Sequence, residues 1–156
     1  MNEPSKNIIP GEGLGRIQFG MSRDVVHKIA GDPDEIEQYQ HTEIDDSKAE
    51  AWHYDNPEVS FAFEEFNNWK LTSIAISSDE YFLNNHSLIG LTTENAISLL
   101  EKLNLGEVKL EDYSSEEDPD LQLVTVENAG INLWFESNRL TEVQFSQIWE
   151  EDDEIQ

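Results

Sequence analysis

The stretch FAFEEFNNWKLTSIAI, Phe61 to Ile76, returns later in the chain as LWFESNRLTEVQF, Leu133 to Phe145. Both read aromatic–Glu, a polar turn, then Leu-Thr and alternating apolar residues. Self-similarity constrains a fold more tightly than composition does, because each copy must find an equivalent place in one structure. It extends beyond the hairpins. GMSRDVVHKIAG from Gly20 matches GLTTENAISLLEKLNLG from Gly90. In each, Ser22 or Thr92 is the expected N-cap and an acid, Asp24 or Glu94, stands in the first turn. Met21 and Leu91 are placed to staple onto Val26 and Ala96, while Gly31 and Gly106 stand where a glycine would stop each helix. The second helix reads longer by about one turn.

The strands match as well. WHYDNPEVSFAF from Trp52 aligns without a gap on VTVENAGINLWF from Val124, and the segments around Ile36–Gln40 and Val108–Tyr113 offer one further strand per half. A two-residue Asn67-Asn68 turn pairs Phe63 with Thr72, Phe61 with Ile74 and Val59 with Ile76. A three-residue Ser137–Arg139 loop pairs Phe135 with Thr141, Leu133 with Val143 and Ile131 with Phe145. Both registers gather the large apolar side chains on one face. The expected fold class is therefore α+β: a tandem duplication of a helix plus a three- or four-strand antiparallel unit, forming one sheet with helices packed on one face. One domain is expected over residues 1–156, built of repeats at about 16–80 and 81–149, with residues 1–14 and 150–156 as flexible termini.

The opposite face is where function is expected. It carries Ser60, Ala62, Ser73 and Ala75, then Glu64, Leu71 and the tip pair Phe66 and Trp69 in the first copy. In the second copy it carries Asn132, Trp134, Glu136, Leu140, Glu142 and Gln144. Aromatic anchors among small and polar neighbours are the composition of a protein-binding surface. For Phe66 and Trp69 a cross-strand pair that only stabilises a hairpin tip is an equal alternative.

Thirty-four acidic against nine basic residues give a formal charge of −25. Such a field repels nucleic-acid phosphates and anionic membrane surfaces and attracts basic proteins, although it also serves solubility alone. The run LEDYSSEEDPD, with Asp112, Glu116, Glu117 and Asp118, lacks the spacing of a calcium loop and reads as a solvated acidic loop that could meet a basic partner. There is no cysteine and the N-terminal MNEPSKNIIPGEG has no apolar segment, so a cytoplasmic setting is expected. GEGLG, Gly11 to Gly15, lacks the Lys-Ser/Thr of a phosphate loop and reads as a turn. The four histidines show no metal spacing, His27 and His53 standing in ordinary structural positions, and no nucleophile motif occurs. No catalytic residue, metal or other cofactor is expected.

A duplicated helix-plus-antiparallel-sheet unit, with Gly-Met-Ser or Gly-Leu-Thr opening the helix and the W-x-Y strand from Trp52 following the first, resembles the β-lactamase inhibitor protein superfamily, and the half-unit is similar to the small lipoprotein of the outer-membrane barrel-assembly machinery. The resemblance spans most of Arg16 to Trp149. It implies a saddle-shaped sheet whose aromatic-studded face clasps another protein. The chain departs from the secreted inhibitors in lacking cysteines and a secretion signal, and from the lipoprotein in lacking a lipidated cysteine. A small acidic protein of this shape is similar instead to immunity proteins that neutralise bacterial toxins. The leading expectation is an immunity protein that occludes a basic toxin domain. The alternative is a regulatory or structural interaction module without a toxin partner, and an enzyme using Glu64 and Glu136 as acid and base comes third. Oligomeric state has no signature in the chain.

Overall fold

The computed structural model describes residues 6–40, 48–55, 58–117 and 119–146. In chain order its elements are β1 (Asn7–Ile9), β2 (Gly13–Leu14), β3 (Ile17–Gln18), α1 (Arg23–Ala30), β4 (Glu35–Gln40), β5 (Lys48–Asp55), β6 (Glu58–Glu64) and β7 (Lys70–Ile76). There follow β8 (Phe82–Leu83), β9 (His86–Ser87), α2 (Thr93–Leu103), β10 (Lys109–Asp112), β11 (Gln122–Val126), β12 (Ile131–Glu136) and β13 (Arg139–Ser146).

These strands form two sheets. The larger has the order β10-β11-β12-β13-β7-β6-β5-β4, and the smaller the order β3-β2-β1-β8-β9. The expected α+β class with one sheet is thereby corrected: the described chain is mostly β, with thirteen strands in sheets of eight and five and only two α-helices. The smaller sheet escaped the sequence because its strands are two or three residues long, too short to show alternation. They gain their partners across the chain, β1 running parallel to β8 with Ile8 opposite Leu83. Asn7–Ile9 and Gly13–Leu14, expected within a flexible terminus, are strands of this sheet.

Both helices begin at hydroxyl caps. Ser22 Oγ accepts from Val25 N–H at 3.3 Å and Thr92 Oγ1 from Asn95 N–H at 3.2 Å. Helix α1 ends at Gly31, but α2 stops at Asn104, a left-handed residue with φ 56°, before reaching Gly106. Val26, Ala96 and Leu100 from the helices and Ile8, Leu14 and Leu83 from the small sheet share one core with the inner face of the large sheet. Phe61, Phe63, Ile74, Ile76, Leu133, Phe135, Val143 and Phe145, all expected inside, are buried.

The repeated Leu-Thr has a structural cause. Phe61 faces Ile74 as expected, yet Phe63 faces Leu71, and Phe135 faces Leu140, with a register shift in each pair. Thr72 and Thr141 are the extra residues of two β-bulges. Each bulge turns its leucine, Leu71 or Leu140, from the outer face, where strict alternation had put it, into the core. Thr72 Oγ1 donates to Glu64 Oε1 at 2.8 Å, and Thr141 Oγ1 donates to the Trp134 carbonyl at 3.2 Å.

The turned leucines also anchor the helices. Leu71 exchanges backbone bonds of 2.9 Å with Gly20 and Met21, and Leu140 exchanges bonds of 2.8 Å with Gly90 and Leu91. Gly20 and Gly90 take φ of 93° and 98°, a region open chiefly to glycine. The hairpin turns differ from expectation accordingly. The first is a 3₁₀ turn at Glu65–Asn67 followed by Asn68 and Trp69 at φ 58° and 59°. The second is a two-residue turn of Ser137 and Asn138, whose side-chain oxygen accepts from Thr93 N–H at 3.1 Å.

Candidate protein-binding face

Alternation along each strand gives the large sheet an outer face turned away from the shared core. One register row can be followed across all eight strands: Lys109, Thr125, Asn132, Gln144, Ala75, Ser60, His53 and Glu35. The next row runs Ser146, Ser73, Ala62, Ala51 and Glu37. The middle of the face is thus a floor of small side chains. At the junction of β12, β13 and β7 it holds a shallow depression of 210 Å³ lined in part by Ser73, Ala75, Asn132, Gln144 and Ser146. Ala49, Ala51 and Leu123 on this face are buried but stand apart from the main core.

An aromatic residue with carboxylates marks each side of the floor. Toward β4, Tyr39 lies opposite Ala49, which lies opposite Glu64. Burial first, and then the charges of Glu64 and Glu37, push the Tyr39 hydroxyl above its ordinary pKa. Toward β10, Glu111, Leu123, Trp134 and Glu142 stand in one row across four strands. The Tyr113 ring lies 5.7 Å from that of Trp134, and its hydroxyl donates to Glu111 Oε2 at 2.9 Å. The hydrogen bond to Glu111, then its charge, raises the Tyr113 pKa. Trp134 Nε1–H donates to Gln144 Oε1 at 3.1 Å, and Gln144 Nε2–H donates to Glu142 Oε2 at 2.7 Å. This chain fixes the indole and directs Gln144's donor at the Glu142 carboxylate.

The residues expected to bind a partner divide. Glu64, Trp134, Glu136, Glu142 and Gln144 lie on the outer face, Glu136 exposed at the hairpin tip opposite Arg139. Trp69 does not: its ring packs against the core, with the Arg23 guanidinium 4.5 Å from its centroid. The left-handed Asn68 and Trp69 of the longer turn carry it there. Asp112 is exposed on the opposite side of β10 from Glu111, and a hydrogen bond from Ser114 N–H lowers its carboxyl pKa. Glu116 and Glu117 are exposed in the following loop. Asp118, the Phe66 side chain and the tail from residue 147 lie outside the described residues.

Tyr39, Glu111 and Tyr113 were missed. Alternation in LEDY does put Glu111 and Tyr113 on one side, but only the pairing of β10 with β11 places that side beside Trp134. His53, read as structural, sits on the outer face between Ser60 Oγ at 2.6 Å and Glu37 Oε1 at 3.1 Å. Ser, His and Glu in this order match a nucleophile relay. Acyl transfer also needs N–H donors aimed at the developing oxyanion, and the Ser60 strand is laddered on both sides by β5 and β7. The trio forms a hydrogen-bonded patch of the face. Among the described residues no group of three or more His, Asp or Glu could hold a metal ion, and no helix is long and apolar enough to cross a membrane.

No family model and no curated protein matches the chain. Among solved structures it is similar to the 1.5 Å crystal structure of an extracellular protein containing a SCP domain from Bacillus anthracis str. Ames, with a TM-score of 0.50 and 15% identity. The match covers 83% of this chain and 44% of that one, so the chain spans less than half the length of the structure it resembles. At this identity the likeness concerns the fold alone.

Proposed function

We propose that the chain is an acidic binding module whose outer sheet face takes a basic protein domain, and that this domain is a bacterial toxin neutralised by occlusion. The observation that carries the reading is the outer face itself: a floor of small side chains, apart from the core, between Tyr39 with Glu37 and Glu64 on one side and Trp134 and Tyr113 with Glu111 and Glu142 on the other. Small residues let a partner's backbone approach closely, and rigid aromatics offer contact area at low entropic cost. The net charge of −25 steers a cationic domain toward this surface and opposes nucleic acid. A chain without cysteine suits a meeting in the producing cell's cytoplasm.

The test is stopped-flow association and dissociation with a basic toxin domain encoded beside the chain's gene, together with that domain's activity. Charge reversal of Glu116 and Glu117 to Lys lowers the association rate and flattens its salt dependence, because steering is screened once the Debye length falls to about 3 Å near 1 M salt. Trp134→Ala instead raises the dissociation rate, by about 2 kcal/mol or more for a hot spot. Unchanged dissociation from folded Trp134→Ala would show that the partner docks elsewhere. Binding that leaves the domain fully active would turn the reading into that of an interaction module without a neutralising role.

A further inference from the structure

The two halves of the molecule treat an aromatic ring and a carboxylate differently. In the first, Trp69 carries the Arg23 guanidinium 4.5 Å from its ring centroid, and Arg23 Nη1 lies 3.4 Å from both oxygens of Glu50. Tryptophan face, guanidinium and carboxylate thus form a complete trio within the chain. In the second half, Trp134 lies in one row with Glu142 and Glu111, and Tyr113 extends its aromatic surface. Among the described residues no cation lies over the Trp134 ring, and Lys109 on β10 is drawn to Glu127 at 3.9 Å.

We propose that the Trp134–Tyr113 pair, flanked by Glu111 and Glu142, is the seat of an arginine side chain from the basic partner. The proposal rests on the binding-module reading and names the group that this part of the face recognises. A guanidinium is planar, weakly hydrated and stacks on aromatic rings while its N–H groups point outward in its own plane. Glu142 on one side of Trp134 and Glu111 on the other supply acceptors for them. Among the described residues neither is spent: Glu142 accepts from Gln144 at one oxygen, Oε2, and Glu111 from Tyr113 at one oxygen, Oε2. The relay from Trp134 through Gln144 to Glu142 holds ring and carboxylate in fixed relation, so little freedom is lost on binding. An ammonium group matches this arrangement less well, being a compact, strongly hydrated charge that cannot lie flat on the ring.

The test needs no knowledge of the natural partner. Acetyl-Gly-Arg-Gly-amide is titrated into ¹⁵N-labelled protein while the indole N–H resonances are followed, that of Trp134 being assigned from Trp134→Phe. Expected is a saturable shift of the Trp134 indole, with Lys and citrulline versions of the peptide bound more weakly and not at all. Glu142→Gln keeps an oxygen for Gln144 and so preserves the ring's position, yet it should weaken the arginine peptide about two- to fivefold, as should Glu111→Gln. An unmoved Trp134, equal shifts with citrulline or lysine, or full affinity in both glutamine variants would overturn the proposal. The outcomes separate the two readings. A partner protein that binds Trp134→Phe and Glu142→Gln as tightly as the native chain removes the arginine seat and leaves the module. Arginine-peptide binding without any basic protein partner does the reverse.

Discussion

Glu50 is an acid on the core side of the large sheet, 6% exposed, and its removal has a magnitude that can be worked out group by group. It accepts from Trp52 Nε1–H at 2.7 Å and from Gln38 Nε2–H at 2.8 Å, and it faces Arg23 at 3.4 Å. In Glu50→Ala the exposed Gln38 and the Arg23 guanidinium, 37% exposed, turn to water and contribute at most about 1 kcal/mol between them. The Trp52 indole N–H belongs to a residue only 7% exposed and is left without an acceptor, which costs about 1–3 kcal/mol. The expected loss is therefore about 1–4 kcal/mol. Glu50→Gln retains an oxygen for Trp52 and should lose about 1–2 kcal/mol, the difference between a charge-assisted and a neutral bond. Urea unfolding followed by tryptophan fluorescence gives both values.

The pH dependence is a second arm of the same experiment. Burial alone would raise the Glu50 carboxyl, but hydrogen bonds from Gln38 and Trp52 and the Arg23 charge outweigh it and hold the pKa below the ordinary 4.5. A lowered folded-state value means that the stabilisation is present above the unfolded pKa and disappears as pH falls through the folded one. The gap between native and Glu50→Gln protein should accordingly close on acidification. A loss under about 0.5 kcal/mol in Glu50→Ala, within the range of an ordinary surface change, would refute the argument. So would a gap that widens in acid.

Phe135→Ala, at a fully buried position, should cost about 3–5 kcal/mol by chemical denaturation, and a change under about 1 kcal/mol would show its placement to be wrong. Gly13 has φ +148°, and a Cβ there would stand 2.0 Å from the Ile17 carbonyl oxygen. Gly13→Ala should therefore cost at least about 2 kcal/mol and raise amide exchange at Leu14 and Ile17, while protection in β6 and β12 persists. Burial first, then Asp32 and Asp34 for Tyr54 and Glu80 for Tyr81, pushes both hydroxyls up to about 12. The neutral phenols' contribution is full below the unfolded value of about 10 and lost as pH rises toward 12. Ultraviolet titration should show these two ionising late, and the unfolding free energy should fall across that interval.

The sequence by itself determined what depends on neighbours a few residues apart. Ser22 and Thr92 start helices because a hydroxyl reaches the N–H three residues on, a geometry that needs nothing from the rest of the chain. Phe61, Ile74, Leu133 and Phe145 face inward because alternation is a property of an extended strand, and their pairs were legible from the hairpins. Tertiary structure decided the rest. Leu71 and Leu140 turn inward at bulges, where Gly20 and Met21 or Gly90 and Leu91 supply their backbone partners, and a bulge cannot be told from regular alternation until that second segment is in place. The small sheet exists only where β1 meets β8, and so the class became mostly β. Of the face, Trp134, Glu142 and Gln144 were legible because they lie on one hairpin, whereas Glu111 and Tyr113 join them through two further strand pairings. Trp69 is carried off the face by its left-handed turn and lies beneath the Arg23 guanidinium of α1, whereas among the described residues no cation lies over Trp134. Local periodicity sets which side of a strand a residue takes, but only the pairing of distant strands and the docking of a helix decide what stands beside it.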